Sequence, residues 1–298
     1  MDINAANLEA LNKNYSVDWQ KGIAWKPPVD LSFLFMDVKS TSAANFYAWL
    51  NLIPGFREWV GDRIFFNVQS QKFEVSNVPY EASVTMGKSV IDDDKDGGYS
   101  VYAPIIRQMA EAWPQLLHEL VVAVLTGNPT CFTASALFAN SHAYGDQIID
   151  NLVTDALSET SFNAAFEARA GYKWANGKEI PGTFTHLIVG EKLRKTGYEL
   201  VLNQYLSVAG GSTSGNPNYK KCELVVLPSL TGTYDDYWFL SDASGSMRPI
   251  CRQIRQVPVP LMDTNPATVM RSGKVDYMAD GRAAAAPTFP HLIYGGRL

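Results

Sequence analysis

From Arg63 onward, apolar and polar positions alternate with a period of two. Ile64, Phe66 and Val68 share one face, Phe73 and Val75 follow, and Ala82, Val84 and Met86 come last, with Asn67, Gln69, Gln71, Lys72 and Glu74 filling alternate places. This pattern predicts two or three antiparallel strands. Half of each strand is polar, so the ribbon buries too little to stand alone and must lie on another surface. The period then becomes helical: Tyr102, Ile105, Ile106, Met109, Trp113, Leu116, Leu117, Leu120 and Val124 fall on one stripe. Pro114 lacks an amide hydrogen and crowds the carbonyl of Ala110, which predicts a kink or a restart there. Gly127 and Pro129 end the helix.

Elsewhere the pattern is shorter. Residues 4 to 14 place Leu8 and Leu11 at a helical interval before the break at Lys26-Pro27-Pro28, which reads as an arm with one short helix. Leu31 to Met36 is strand-like. Ser158 opens a helix through Phe162, Ala165 and Phe166. Residues 186–190, 222–228 and 237–241 read as three buried strands, with a helix from Leu193 to Tyr205, forming an α+β lobe. Arg248 to Val257 suits a long strand that Pro258 and Pro260 interrupt. The tail from Val275 is rich in alanine, proline and glycine.

Length and charge narrow the field. With 298 residues the chain sits near the upper limit for one core, which predicts two lobes sharing a sheet. Its 25 basic and 30 acidic residues give a formal charge of −5 without a long basic block, so tight nucleic-acid binding is not expected. Cys131, Cys222 and Cys251 are an odd, widely spaced set, which fits reduced thiols in a cytosol-like compartment. The first residues lack the basic start and apolar middle of an export signal. The longest apolar run, Leu120 to Leu125, is far below the roughly 18 residues of a membrane span.

Candidate chemistry is sparse. Asp92, Asp94, Asp96 and Gly97 reproduce the first half of a calcium loop, but Ala103 stands where a bidentate Glu belongs, so a solvated acidic turn is the stronger reading over a calcium-dependent binding module. Cys131, His142 and Asp146 could form a nucleophile, base and orienting acid of a soluble cytosolic enzyme, provided the fold brings them together. Gly210 to Gly215 superficially suggests a phosphate cradle, yet it leads into a strand and lacks a GK[ST] lysine. Trp49, Trp59, Trp113, Trp174 and Trp238 lack adjoining basic residues, so core and contact packing is the stronger reading for them. No cofactor is expected.

The order of motifs carries more. FYAWL at Phe46, REWVGDR at Arg57, VPYEASVTMGKSVIDDD, YAPIIRQMAEAWPQLLHELVVAVLTG at Tyr102, CFTASALFANSH at Cys131 and DYMADGRAAAA near the end together resemble the major capsid proteins of Mu-like tailed bacteriophages and their prophages. The chain departs from that pattern at Thr133-Ala134, where the family commonly has an Asp-Gly turn. The resemblance implies an α+β HK-97-like capsid fold with an N-terminal arm (1–45), an extended loop (55–99), a peripheral domain (100–180 and 251–298) with a spine helix over 100–127, and an axial domain (181–250). It also implies self-assembly as hexamers and pentamers into an icosahedral shell around double-stranded DNA, without sequence-specific contact, guided by a scaffold protein and a portal, with no membrane partner. The chain would pass from the bacterial host cytoplasm to the virion. Arg57, Glu58, Trp59, Arg63, Phe66 and Phe73 on the extended loop are the expected subunit contacts.

Overall fold

A computed structural model describes residues 4–49, 71–93, 99–144, 146–174, 177–207 and 213–296. In chain order the elements are α1 (Ala5–Ile23), β1 (Phe35–Lys39), β2 (Ala44–Trp49), β3 (Gln71–Ser76), β4 (Val78–Gly87), α2 (Lys88–Asp93) and α3 (Tyr99–Gly127). There follow β5 (His142–Tyr144), β6 (Gln147–Ile149), β7 (Leu152–Val153), α4 (Glu159–Ala170), β8 (His186–Val189), α5 (Arg194–Val201), β9 (Tyr205–Ser207) and β10 (Thr213–Gly215). The chain closes with β11 (Glu223–Val226), β12 (Trp238–Ser241), β13 (Ile250–Met262), α6 (Pro266–Ser272), β14 (Lys274–Pro287) and β15 (Ile293–Gly296).

Two sheets organise the molecule, one in the order β1-β13-β14-β4 and one in the order β11-β8-β12-β15-β7. They are separate, so the expectation of lobes sharing a sheet fails; what the lobes share is α3. This helix has 29 residues and spans about 43 Å at 1.5 Å per residue. Its first half packs Ile106 and Ala110 against Met86 and Tyr277 of the first sheet, while Val121 and Leu125 reach Ile188, Phe239 and Ile293 of the second. Pro104 and Pro114 both lie inside α3 without ending it. Burial of Ala110, Trp113 and Leu117 around Pro114 offsets the missing hydrogen bond.

The N-terminal reading needs correction. Within the expected arm, α1 is a 19-residue helix packed on α3, with Leu8, Leu11, Tyr15 and Trp19 buried in the same core. Asn4 caps it by accepting a hydrogen bond from the Asn7 amide. The buried face continues through Asp18 and Gly22, residues that interrupt an apolar pattern and so hide the helix from a periodicity search. Asp18 is buried because Arg107 of α3 meets it at 2.7 Å. Gly22 is required by the crossing, since a Cβ there would stand 2.5 Å from the Ala110 Cβ.

The ribbon also changes. Strand β4 is not part of a free hairpin: it pairs antiparallel with β14 over ten residues, from Lys274↔Gly87 to Ala283↔Val78. Strand β3 pairs with β2, and its Val75 packs against Cys251, Ala284 and Ala286. The Ile64 to Val68 strand lies outside the described residues. Pro258 and Pro260 do not stop β13, which continues to Met262 with register shifts between Ile254 and Val259. Because β1 pairs only as far as Ile254, the following stretch of β13 has no strand on its other side among the described residues, and proline is tolerated at such an edge.

The lobe of three predicted strands is present, with β8 parallel to β11 and antiparallel to β12. The helix between them is shorter than expected, because Tyr205 already belongs to β9. Strands β7 and β15, from outside 181–250, complete this sheet. Helix α4 starts where expected, with Ser158 and Ser161 forming a reciprocal cap.

Candidate assembly surfaces and the buried cysteine cluster

Of the expected contact residues, Arg57, Glu58, Trp59, Arg63 and Phe66 lie outside the described residues. Phe73 is half-buried and packs against two clusters of its own chain, so it holds β3 in place instead of offering a free surface. The apolar surface that sequence reasoning missed lies on the edge stretch of β13, which among the described residues pairs with β14 alone. Val259 and Leu261 are 72% and 65% exposed, and Leu261 stands opposite Met278, itself exposed on β14. A second exposed set, Tyr198, Leu202 and Tyr205, marks the end of α5 and the start of β9. The period-two run Val257, Val259 and Leu261 on β13 was the available signal for the first set.

The acidic turn does not present itself as a loop where it is described. Asp92 belongs to α2, and Asp94 and Asp96 lie outside the described residues. Among the described residues, no group of three or more His, Cys, Asp or Glu could hold a metal ion. The glycine-rich stretch is also not a helix start: β10 pairs antiparallel with β9. None of the described helices is long and apolar enough to cross a membrane.

Cys131 and His142 do come together. Thr133 Oγ1 lies 2.9 Å from Cys131 Sγ and 2.8 Å from His142 Nδ1, while thiol and imidazole are 3.8 Å apart. On the other side, His142 Nε2 lies 3.1 Å from the Leu137 carbonyl and 3.2 Å from Asn151 Oδ1. A carbonyl only accepts, so Nε2 carries the proton and the neutral Nδ1 accepts from the Thr133 hydroxyl, whose oxygen accepts from the thiol. Asp146, the acid expected to orient the histidine, is exposed, and Asn151 occupies that place. The Asn151 amide nitrogen also donates to the carbonyls of Leu137, Pro290 and Ile293, tying the loop after α3 to the C-terminal strand.

The surroundings of this pair work against an activated thiol. Cys131 and His142 are buried, and burial pushes the thiol up and the imidazole down from their ordinary values, so the ion pair that would activate a thiol nucleophile is disfavoured. Cys222 and Cys251 are buried too, each pushed up to about 12 by burial. A thiol reagent at pH 7.5 should therefore titrate none of the three cysteines within minutes in the folded chain and all three in urea. A single fast thiol mapping to Cys131 would reinstate the enzymatic reading.

Comparison with known proteins bears on these surfaces. A family profile described as Mu-like prophage major head subunit gpT matches residues 8–156. The Mu-like prophage FluMu major head subunit of Haemophilus influenzae is 30% identical over 166 residues, covering 53% of each chain. The major capsid protein of Escherichia phage Mu is 27% identical over 144 residues, covering 48% of this chain and 46% of that one. The match thus spans about half the length of these relatives. Among solved structures, a chain of the procapsid of bacteriophage JBD30 superposes with a TM-score of 0.59 at 19% identity, over 99% of this chain and 76% of that chain.

Proposed function

The chain belongs to the Mu-like prophage major head subunit gpT family, and we propose that it builds the phage head as its major capsid protein. Its fold is the α+β fold of HK-97-like phage capsid subunits. The reading rests chiefly on one agreement: a family match across α1 to β7 coincides with a capsid-type architecture along nearly the whole chain. In this reading copies of the chain associate as hexamers and pentamers and close an icosahedral shell around double-stranded DNA. A scaffold protein and a portal take part in assembly. The chain moves from the host cytoplasm into the virion, and its role is structural.

We assign 181–250, with β7 and β15 that complete its sheet, to the axial domain and the rest of 100–180 and 251–298 to the peripheral domain, α3 serving as the spine. Arg57, Glu58, Trp59, Arg63 and Phe66 are assigned to contacts between copies, together with Val259, Leu261 and Met278. Exposed side chains of this size on one sheet favour burial against a neighbour. An overall excess of acidic groups accords with a shell that encloses DNA without tight adhesion.

Electron microscopy of the purified chain, alone and with its scaffold, tests the proposal. Rings, tubes or closed shells are expected. Trp59→Asp or Phe66→Asp should leave helix content intact by circular dichroism while assembly is lost. A chain that stays monomeric under every assembly condition would overturn the head-building role.

A further inference from the structure

A cavity of about 320 Å³ opens between α3 and the edge of the first sheet. Its size lies within the roughly 300–1,000 Å³ of small-molecule sites. Three aromatic side chains line it: Trp19 from α1, Tyr80 from β4 and Trp113 from α3. Two carboxylates, Glu81 and Glu119, also line it, beside apolar groups such as Met109, Leu116 and Pro258, and the lining contains no Lys, Arg or His. Both carboxylates are solvent-exposed, and neither has a salt-bridge partner among the described residues; Glu119 accepts only from Gln115 Nε2, at 2.9 Å.

A further observation points to an occupant. Gly281 lies directly under Trp113, where a Cβ would come within 2.6 Å of the ring, so the wall is held open by a glycine that leaves the indole flush against the backbone. Aromatic faces attract cations through the ring quadrupole, and they do so most strongly when water is excluded. Carboxylates at the same opening select the same sign of charge. An anion would meet two uncompensated negative groups, and a neutral apolar molecule would leave both carboxylates unanswered.

We propose that this cleft is a binding site for an alkylammonium cation. The ammonium sits among the rings beside Glu81 and Glu119. Every group that lines the site belongs to one copy, so binding to the unassembled chain needs no shell.

Choline is a suitable probe, because 3,3-dimethylbutan-1-ol replaces its nitrogen by carbon in the same shape. Calorimetry on the full, unassembled chain should show saturable binding of choline at one site, at least about tenfold tighter than the neutral alcohol. Glu81→Gln combined with Glu119→Gln, both surface changes, should weaken choline about tenfold and leave the alcohol unchanged. Leu116→Trp, which fills the cleft, should abolish both. Equal affinity for the two probes, an unchanged double variant, or no saturable heat up to about 10 mM choline would each overturn the proposal. Assembly plays no part in the measurement, so its failure leaves the head-building role standing.

Discussion

Replacing Arg169 by alanine should destabilise the folded chain by about 3–5 kcal/mol. Arg169 ends α4, and its side chain is 2% exposed, as is that of its partner Asp242, with Nη2 to Oδ2 at 2.7 Å. The guanidinium also donates to the carbonyls of Ile180 and Pro181 at 3.1 and 3.0 Å. Asp242 accepts from the Ser244 amide at 2.9 Å, and its own amide donates to Leu292 at 2.8 Å. The pair thus joins four segments: α4, the loop before β8, the end of β12 and the turn before β15. Removing the arginine leaves an uncompensated carboxylate in a dry site and strips two carbonyls of their donor.

A second variant separates this cause from simple loss of packing. Arg169→Met with Asp242→Asn nearly keeps the volume and leaves no buried charge, so it should cost clearly less than Arg169→Ala. The check is the urea midpoint at constant slope. A loss below about 1 kcal/mol for Arg169→Ala would mean that the pair is screened as a surface pair is. Total stability of a domain is about 5–15 kcal/mol, so the expected loss is a large share of it.

Helices and buried strands with a complete apolar pattern were legible in the chain. The stripe from Tyr102 to Val124 became α3, and HLIV, ELVV and WFLS became adjacent strands of one sheet. These segments are buried on the faces that their own composition marks. Partners at a distance were not legible. The alternation in β4 told that one face was apolar, but nothing local told that this face would meet a strand such as Tyr277 and Ala279, almost two hundred residues later. Strand β14 itself was hidden because its inward positions include Ala279, Gly281 and Ala283, too small to register as an apolar face. Its wall of small residues is what admits Trp113.

The same contrast holds for the candidate sites. Cys131 and His142 were visible as residue types, and they do meet; that the meeting is dry and satisfied depends on Thr133 and Asn151, ordinary polar residues whose role comes from the fold. Phe73 was expected at a contact between copies because its strand was expected to project. Once β3 is laid on the first sheet, Phe73 is half-buried against side chains of its own chain. The apolar positions left uncovered, Val259 and Leu261, sit where the two prolines had argued against a strand.

Acid should weaken the fold through His291. Burial first, then Arg169 and His142, pushes its imidazole down to about 3, against an ordinary value near 6.5. Tyr144, whose phenol is held well above its usual range and so keeps its proton, faces Nδ1 at 2.9 Å, and the rings of Trp174 and Phe289 close the site. A protonated ring would bring a charge into this box and lose the acceptor that Tyr144 uses. The unfolded chain, by contrast, takes up the proton once the pH drops below about 6.5. Stability carried by the neutral ring is therefore present above about 6.5 and lost as the pH falls toward 3. At pH 4.5, about two units below the unfolded value, the loss amounts to about 3 kcal/mol. His142, also held down by burial, adds a loss of the same sign. His291→Asn, which keeps an acceptor for Tyr144 but cannot titrate, should flatten the fall in urea midpoint between pH 7 and 4.5. An unchanged slope in that variant would assign the acid sensitivity to other groups.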